Sequence, residues 1–184
     1  ALAIITTLCL LALGSLWMIA LAIAIGGALG AVVARKINMT ALPQLVAAFH
    51  SLVGLAAVLV ASAAFLNPDA YGISSGGKIH ASSLIEMGLG VGIGAITFTG
   101  SLIAFAKLQG LIGGKPLKFP FQHQFNLGLG VLTLLLVVWL LLSQSEYAFF
   151  AIVGVTALLG LLLILPIGGA DMPVVISMLN SYSG

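Results

Sequence analysis

Apolar residues run through this chain in long blocks that ten charged residues punctuate. The stretches 1–34, 37–68, 87–106, 119–145, 147–170 and 172–184 carry no charge at all. A helix of about 20 apolar residues crosses the hydrocarbon core of a bilayer. These runs are continuous rather than alternating, so they predict helices and not the strands of a β-barrel. The block 1–34 would make a helix of about 50 Å at 1.5 Å per residue, too long for one span, and Gly14-Ser15 is the expected break. The pattern predicts Ala1–Leu13 as the tail of one helix, then full spans over Leu16–Ala34, Leu42–Leu66, Leu84–Leu108, Phe125–Ser143 and Tyr147–Leu165. A last helix starts at Met172 and has risen only about 18 Å by Gly184. The expected fold class is all-α, a polytopic transmembrane helix bundle forming a single transmembrane domain over 1–184, with five full spans and a partial helix at each end. The chain opens on Ala1 with no positive n-region before its first apolar run, so that run is expected to belong to a longer membrane protein rather than to a signal peptide.

Composition removes the competing classes. Of 184 residues, 61% are hydrophobic and 5% charged, against about 25% charge in an ordinary soluble domain. The mean hydropathy is +1.29. No water-facing surface can be built from this, which excludes a soluble enzyme, a disordered segment and a nucleic-acid binder. The single cysteine, Cys9, excludes an internal disulfide and a cysteine-based metal site, and reads as a small buried hydrophobe. Placement of the few charges sets the topology. Arg35, Lys36, Lys107, Lys115 and Lys118 fall on the side where the span Leu16–Ala34 ends, and only Lys78 falls opposite. By the positive-inside rule the first side is cytoplasmic, or the equivalent matrix side. The loop Pro166–Met172 is then inside. The turn-rich Asn67–Ser83 is outside and is expected to be a solvated connector. The inside loop Gly110–Gln124 has two readings: a connector whose lysines fix topology, or a docking surface for a soluble partner domain.

Gly88, Gly90, Gly92 and Gly94 alternate inside one apolar run, and Gly26 and Gly30 make a small-xxx-small pair beside Gly27. A phosphate-binding glycine loop needs a strand before it and a helix after it. Neither exists inside a 20-residue span, so close helix–helix approach is the expected use. The alternating glycines fall on several faces of one helix, which predicts that this helix lies inside the bundle. Gly128 with Gly130, and Gly154 with Gly160, are weaker cases.

The informative polar residues are those a bilayer penalises. His50 lies in the run Leu42–Leu66, with Thr40 as the expected N-cap and Pro43 in the first turn. Seven residues beyond Pro43, it is about 10 Å along the axis, towards the middle of the membrane. An ionisable residue there is a functional-site hypothesis by default, and imidazole suits reversible protonation; the alternative is a neutral histidine bonded between helices for packing. Pro43-Gln-Leu-Val-Ala-Ala-Phe-His50-Ser51-Leu-Val-Gly54 can be laid on Pro173-Val-Val-Ile-Ser-Met-Leu-Asn180-Ser181-Tyr-Ser-Gly184. Both read Pro-x6-(His/Asn)-Ser-x-x-Gly, which predicts His50 and Asn180 at similar depth from one face, with hydroxyls from Ser51 and Ser181 one residue on. Asp171, just before the last helix, is either favourable charge at a helix start or a gate at the inside mouth. Glu86 is either a first-turn acid or a proton exit on the outside. Thr97, Thr99 and Ser101 either line a wet path or bond back to their own helix. His80 and His123 are expected in solvated loops. No His/Asp/Glu spacing suggests a metal site, and no nucleophile–base pair suggests hydrolysis.

The segments Leu42-Pro-Gln-Leu-Val-Ala-Ala-Phe-His-Ser-Leu-Val-Gly-Leu-Ala-Ala-Val-Leu59 and Gly168-Gly-Ala-Asp-Met-Pro-Val-Val-Ile-Ser-Met-Leu-Asn-Ser-Tyr-Ser-Gly184 closely resemble the beta subunit of proton-translocating nicotinamide nucleotide transhydrogenases. Gly94-Ala-Ile-Thr-Phe-Thr-Gly-Ser101 also looks like that family, and the similarity runs over nearly the whole chain. The resemblance implies a membrane domain in which proton movement is coupled to hydride transfer from NADH to NADP⁺. It implies that NAD(H) and NADP(H) bind to soluble domains of the complex, with no cofactor in this chain, where no Rossmann-type fingerprint occurs. It maps the family's membrane histidine onto His50, its later asparagine onto Asn180 and its loop acid onto Asp171, with Glu86 and Ser101 matching on the glycine-rich helix. It further implies partners in the alpha-subunit helices, a dimer of alpha–beta halves, and a bacterial inner membrane or, alternatively, the mitochondrial one. The rival readings from the residues are a proton-coupled secondary transporter using the same polar pair as its binding site, and a purely structural membrane subunit.

Overall fold

The computed structural model describes residues 16–183. The expected tail Ala1–Leu13, the break at Gly14-Ser15 and Cys9 lie outside the described residues. The chain divides between Ala41 and Leu42 into two compact units, each described by itself.

In the first unit, helix α1 (Leu16–Lys36) runs two residues beyond the expected Ala34 and ends on Arg35 and Lys36. Cations in a last turn complement the carbonyl end of the helix dipole. A Cβ on Gly26, Gly27 or Gly30 would meet nothing within 4 Å, so no described contact uses this glycine pair. Thr40 sits inside a 3₁₀ turn, Met39–Ala41, rather than serving as a helix cap.

The second unit holds α2 (Leu42–Leu66), α3 (Ala81–Leu108), α4 (Gln122–Ser143), α5 (Glu146–Ile164) and α6 (Met172–Ser183). Helices α1 to α5 are long and apolar enough to cross a membrane. The expected all-α class and five full spans are therefore observed, four of the spans bundled in the second unit. Helix starts are where expectation and structure differ. Helix α3 begins three residues before Leu84, which puts Glu86 in its second turn instead of its first. Helix α4 begins at Gln122, so His123 is helical and outward-facing rather than in a loop. In both cases the polar residues that end the apolar run still have helical backbone, because interfacial side chains reach water without leaving the helix.

Helix α3 packs against α2, α4, α5 and α6 and is the most buried span, as its glycines predict. Between them, all of these glycines but Gly90 reach the four neighbours. A Cβ on Gly94 would lie 3.0 Å from Ala57 Cβ of α2; one on Gly88 would rest on Val137 of α4, one on Gly92 on Thr156 of α5, and one on Gly100 between Ile164 of α5 and Leu179 of α6. The tightest points come from glycines on the partners. A Cβ on Gly54 would fall 2.5 Å from Phe98 N and 2.7 Å from Gly94 O, and one on Gly160 would fall 2.6 Å from Ile96 O and collide with the Thr99 hydroxyl. Gly128, Gly130 and Gly154 have no such neighbours.

Two apolar clusters fill the bundle. Towards the outer end, Phe65 and Phe149 stack at 4.5 Å between ring centres, beside Leu84, Met87, Val91 and Leu140. Towards the other end, Ala47, Ala104, Ile164, Met172, Val175, Ile176 and Leu179 join α2, α3, α5 and α6. The connector between α2 and α3 is largely exposed and turn-rich, as expected, and carries short elements of its own. A 3₁₀ turn (Pro68–Tyr71) leads into a hairpin of β1 (Ser74–Ser75) and β2 (Lys78–Ile79). Gly76 and Gly77 both have positive φ, at 60° and 78°, which a two-residue hairpin turn requires. The side-chain amide of Gln144, just past α4, accepts from Ile79 N–H and donates to Ile79 O, at 3.1 and 3.0 Å, and so acts as a third strand.

Gly54→Val places a branched side chain against the backbone of α3, and an overpacked contact of this kind costs about 1–3 kcal/mol. Its thermal unfolding midpoint in detergent is expected to fall clearly. Gly90→Ala, whose Cβ would meet nothing within 4 Å, is expected to leave the midpoint close to wild type.

Candidate functional site

The repeated Pro-x6-(His/Asn)-Ser motif is repeated in structure. Pro43 and Pro173 each occupy the second residue of their helices, where a proline's missing N–H costs nothing and its φ suits the first turn. His50 and Asn180 each follow eight residues after the first helical residue, a rise of about 12 Å. The hydroxyls that follow also behave alike: Ser51 donates to Ala48 O at 2.8 Å and Ser181 to Met178 O at 2.7 Å. Helices α2 and α6 pack against each other, which is the condition for their polar residues to share a site. Neither His50 nor Asn180 is without an interaction partner.

His50 is only 6% exposed. One turn before it, Ala47 belongs to the cluster that includes Ala104 of α3 and Val175, Ile176 and Leu179 of α6; one turn after it, Gly54 touches the α3 backbone. The imidazole-bearing turn therefore stands at the junction of α2, α3 and α6. The register between α2 and α3 is fixed at two points. Gln44 Nε2 donates to Leu108 O at 3.1 Å, and Gly54 abuts Gly94 and Phe98. Between them, the turn of α3 that carries Ser101 comes level with His50. Ser101 is fully buried, and its hydroxyl oxygen has no hydrogen-bond partner among the described residues. Thr99, by contrast, is satisfied: its hydroxyl lies 3.0 Å from Ala95 O and 2.8 Å from Ala157 O, and so ties α3 to α5.

Cavities flank this level on both sides. One of about 410 Å³ opens at the N-terminal ends of α2 and α6, lined by Leu42, Pro43, Val46, Pro173, Ile176, Ser177 and Asn180. Pro43, Val46 and His50 lie on one face of α2 at helical spacing, so His50 follows directly below this wall. A second, of about 280 Å³, lies further along, between Ile93, Ile96 and Thr97 of α3 and Leu179 of α6. Either volume is ample for several waters, which need polar partners such as Asn180, Ser177 or Thr97.

The remaining expected residues are peripheral to this junction. Asp171 is exposed and ends a 3₁₀ turn (Gly169–Asp171) directly before α6. Glu86 faces outward from α3 near the far end of the bundle. His80 is exposed at the N-cap position of α3, 3.2 Å from Ser75 Oγ through Nε2.

A polar seam closes the end where α2 and α6 begin. Lys107, expected on the inside at the end of the span Leu84–Leu108, is in the last turn of α3 and only 4% exposed. Its ammonium donates to three carbonyls at the end of α5: Ile164 O at 3.5 Å, Leu165 O, and Ile167 O at 2.7 Å. Gln122 of α4 donates to Leu162 O, and Gln109 donates to Gln44 Oε1 at 2.8 Å. The two loops on this side also pair directly, Leu117 N–H to Leu165 O and Gly169 N–H to Gly114 O.

The family model described as NAD(P) transhydrogenase beta subunit matches residues 1–184. The chain belongs to this family. Two curated relatives named NAD(P) transhydrogenase subunit beta, both from Rhodospirillum rubrum and one assigned to a particular strain, are 64% identical over 184 residues, covering 100% of this chain and 40% of each relative. The chain thus spans about 40% of the length of the curated relatives it matches. As a member of the transhydrogenase beta subunit family with five helices able to cross a membrane, it is a multi-pass membrane chain.

The contacts of Gly54, read only as the end of the repeated motif, of Lys107, read only as a charge that sets topology, and of Gln122 and Gln144 escaped the sequence reading. The Lys107 signal was present in its neighbours. Phe105, Ala106 and Leu108 continue the apolar helix around it, whereas Lys115 and Lys118 sit among Gly and Pro. The glutamines carried no such signal, since each is polar and at a helix end whether or not it bonds across the bundle.

Removing an unsatisfied buried hydroxyl removes its desolvation cost and no bond. Ser101→Ala is expected to leave the unfolding midpoint unchanged or slightly raised, within about 1 kcal/mol of wild type. A marked loss of stability would show that the hydroxyl is satisfied in the native protein.

Proposed function

We propose that this chain is the proton-translocating membrane part of an NAD(P) transhydrogenase, in which hydride transfer from NADH to NADP⁺ is coupled to proton movement across a bacterial inner membrane. The observation that carries this reading is a buried histidine in a membrane-crossing helix, one turn from a cavity that Val46 and Asn180 line, in a chain of this family. His50 takes up and releases the proton. Its imidazole is the one side chain type whose unperturbed titration falls near neutral pH. Asn180, at equal depth on α6, neither gains nor loses a proton there, so it orients the imidazole or holds a water against it. Ser101 and Ser51 supply hydroxyls at the same level. Asp171 gates the inner mouth of the larger cavity, and Glu86 stands on the outer end of α3.

NAD(H) and NADP(H) bind to soluble domains of the complex. The partners of this chain are the alpha-subunit helices and those soluble domains, in a dimer of alpha–beta halves. Coupling requires two states of the membrane part with different access to His50, biased by the nucleotide state of the soluble domain. A secondary transporter calls for discontinuous helices at a midplane site. Helices α2 to α5 run unbroken, and no separate observation favours that reading.

The test is the complete complex in proteoliposomes, following hydride transfer and lumen pH together. His50→Ala is expected to abolish proton movement and coupled turnover, while hydride transfer between the isolated soluble domains continues. Pumping at a normal proton-to-hydride ratio in His50→Ala would overturn the assignment.

A further inference from the structure

We propose that Lys107 is a positioning residue, a latch by which α3 holds the α5–α6 loop and so sets where α6 stands against α2. The inference rests on the proton-translocation reading above and adds to it the element that transmits movement from the inner face to the site.

The geometry is that of a tether between elements. Lys107 is on α3, but the atoms it binds all belong to the end of α5 and the loop beyond it, at Ile164, Leu165 and Ile167. Those carbonyls are left over by the end of a helix and carry its negative dipole end, so they suit a cation. Only four residues separate Ile167 from Met172, the first residue of α6, which is fully buried in the cluster with Ala104 and Ile164. A shift of the loop is therefore passed to α6, which carries Asn180. On its other side the same loop pairs with the connector 109–121 through Leu117 and Gly114. That connector exposes Lys115, Lys118, Leu111 and Phe121 at the inner face. Whatever presses on the connector presses on the loop, and Lys107 decides how far the loop follows.

A charged group also makes the latch discrete. An ammonium buried in a membrane helix is tolerated only while acceptors converge on it. It holds the loop fully or must find new partners, and a neutral apolar side chain of similar length would allow a continuum of positions.

The experiment uses the complete complex in proteoliposomes, with spin labels at Leu111→Cys and Ala170→Cys, both exposed positions. With native Lys107 the label-to-label distance is expected to be narrow in each nucleotide state and to shift when NADP⁺ is exchanged for NADPH. In Lys107→Met the distribution is expected to broaden, the nucleotide-dependent shift to disappear, and the proton-to-hydride ratio to fall below half. Lys107→Arg, which keeps the cation, is expected to restore all three. An unchanged distance and a normal ratio in Lys107→Met would overturn the proposal. If Lys107→Met does not assemble, Lys107→Gln is read by the same criteria, and failure of both to assemble would make Lys107 a folding residue and overturn the latch. His50→Ala in the same labelled background separates the two ideas. It should stop pumping without altering the distances, and normal pumping there sinks the proton-site reading while leaving the latch to the distance measurement.

Discussion

Backbone contact through glycine is the constraint on which the rest of this bundle depends. In a membrane, apolar side chains gain little by leaving lipid for one another, so helices hold together where close approach multiplies van der Waals contact and lets polar atoms meet. Gly54 of α2 against Gly94 and Phe98 of α3, and Gly160 of α5 against Ile96 and Thr99, bring the helix axes close enough for both. The Thr99 hydroxyl reaches Ala157 O because Gly160 leaves it room. The α2–α3 register that brings Ser101 level with His50 is likewise set by Gly54 at one end and Gln44 at the other.

Around that central column the bundle is pinned at its two ends by amides and one ammonium rather than by ion pairs between side chains. Gln144 completes the outer hairpin; Gln44, Gln109, Gln122 and Lys107 close the inner end. Apart from Gln109, which bonds the Gln44 side chain, each captures backbone atoms that helix ends or turns leave over, and in or near a bilayer no water is at hand to satisfy these cheaply. Gln122 and Lys107 converge on the end of α5, where the chain turns towards α6. The outer end holds one aromatic-rich apolar cluster, with Phe65 stacked on Phe149.

Most hydroxyls in the spans have ordinary employment. Ser51, Ser62, Thr133 and Thr156 bond back to carbonyls one turn earlier. Against this background two buried oxygens, Ser101 Oγ and Asn126 Oδ1, stand out as lacking a partner among the described residues. Ser101 does so at the depth of His50, between the two cavities that meet α6 on either side of Leu179 and Asn180. A histidine, an asparagine and an unsatisfied serine thus stand at similar depth on three neighbouring helices, and the proposed proton path rests on that arrangement.

The fold class, five of the helices and the central place of α3 were legible in the sequence, because hydropathy and glycine spacing act through local chemistry that every span must obey. The equal depth of His50 and Asn180 was legible too, since proline fixes where each helix starts and the rise per residue does the rest. Contacts between elements were not. Gly54 and Gly160 proved tighter than the conspicuous alternating glycines, and Gly26 and Gly30 met nothing among the described residues, because a glycine's use depends on the neighbour it faces. Lys107 read as a cation at the inside end of its span that sets topology, and the folded chain buried it under three carbonyls at the end of a helix more than fifty residues away. A long flexible side chain near a helix end can reach water or backbone with equal ease. Only the position of α5 beside α3 settles which, and that position is a property of the whole bundle and not of any segment in it.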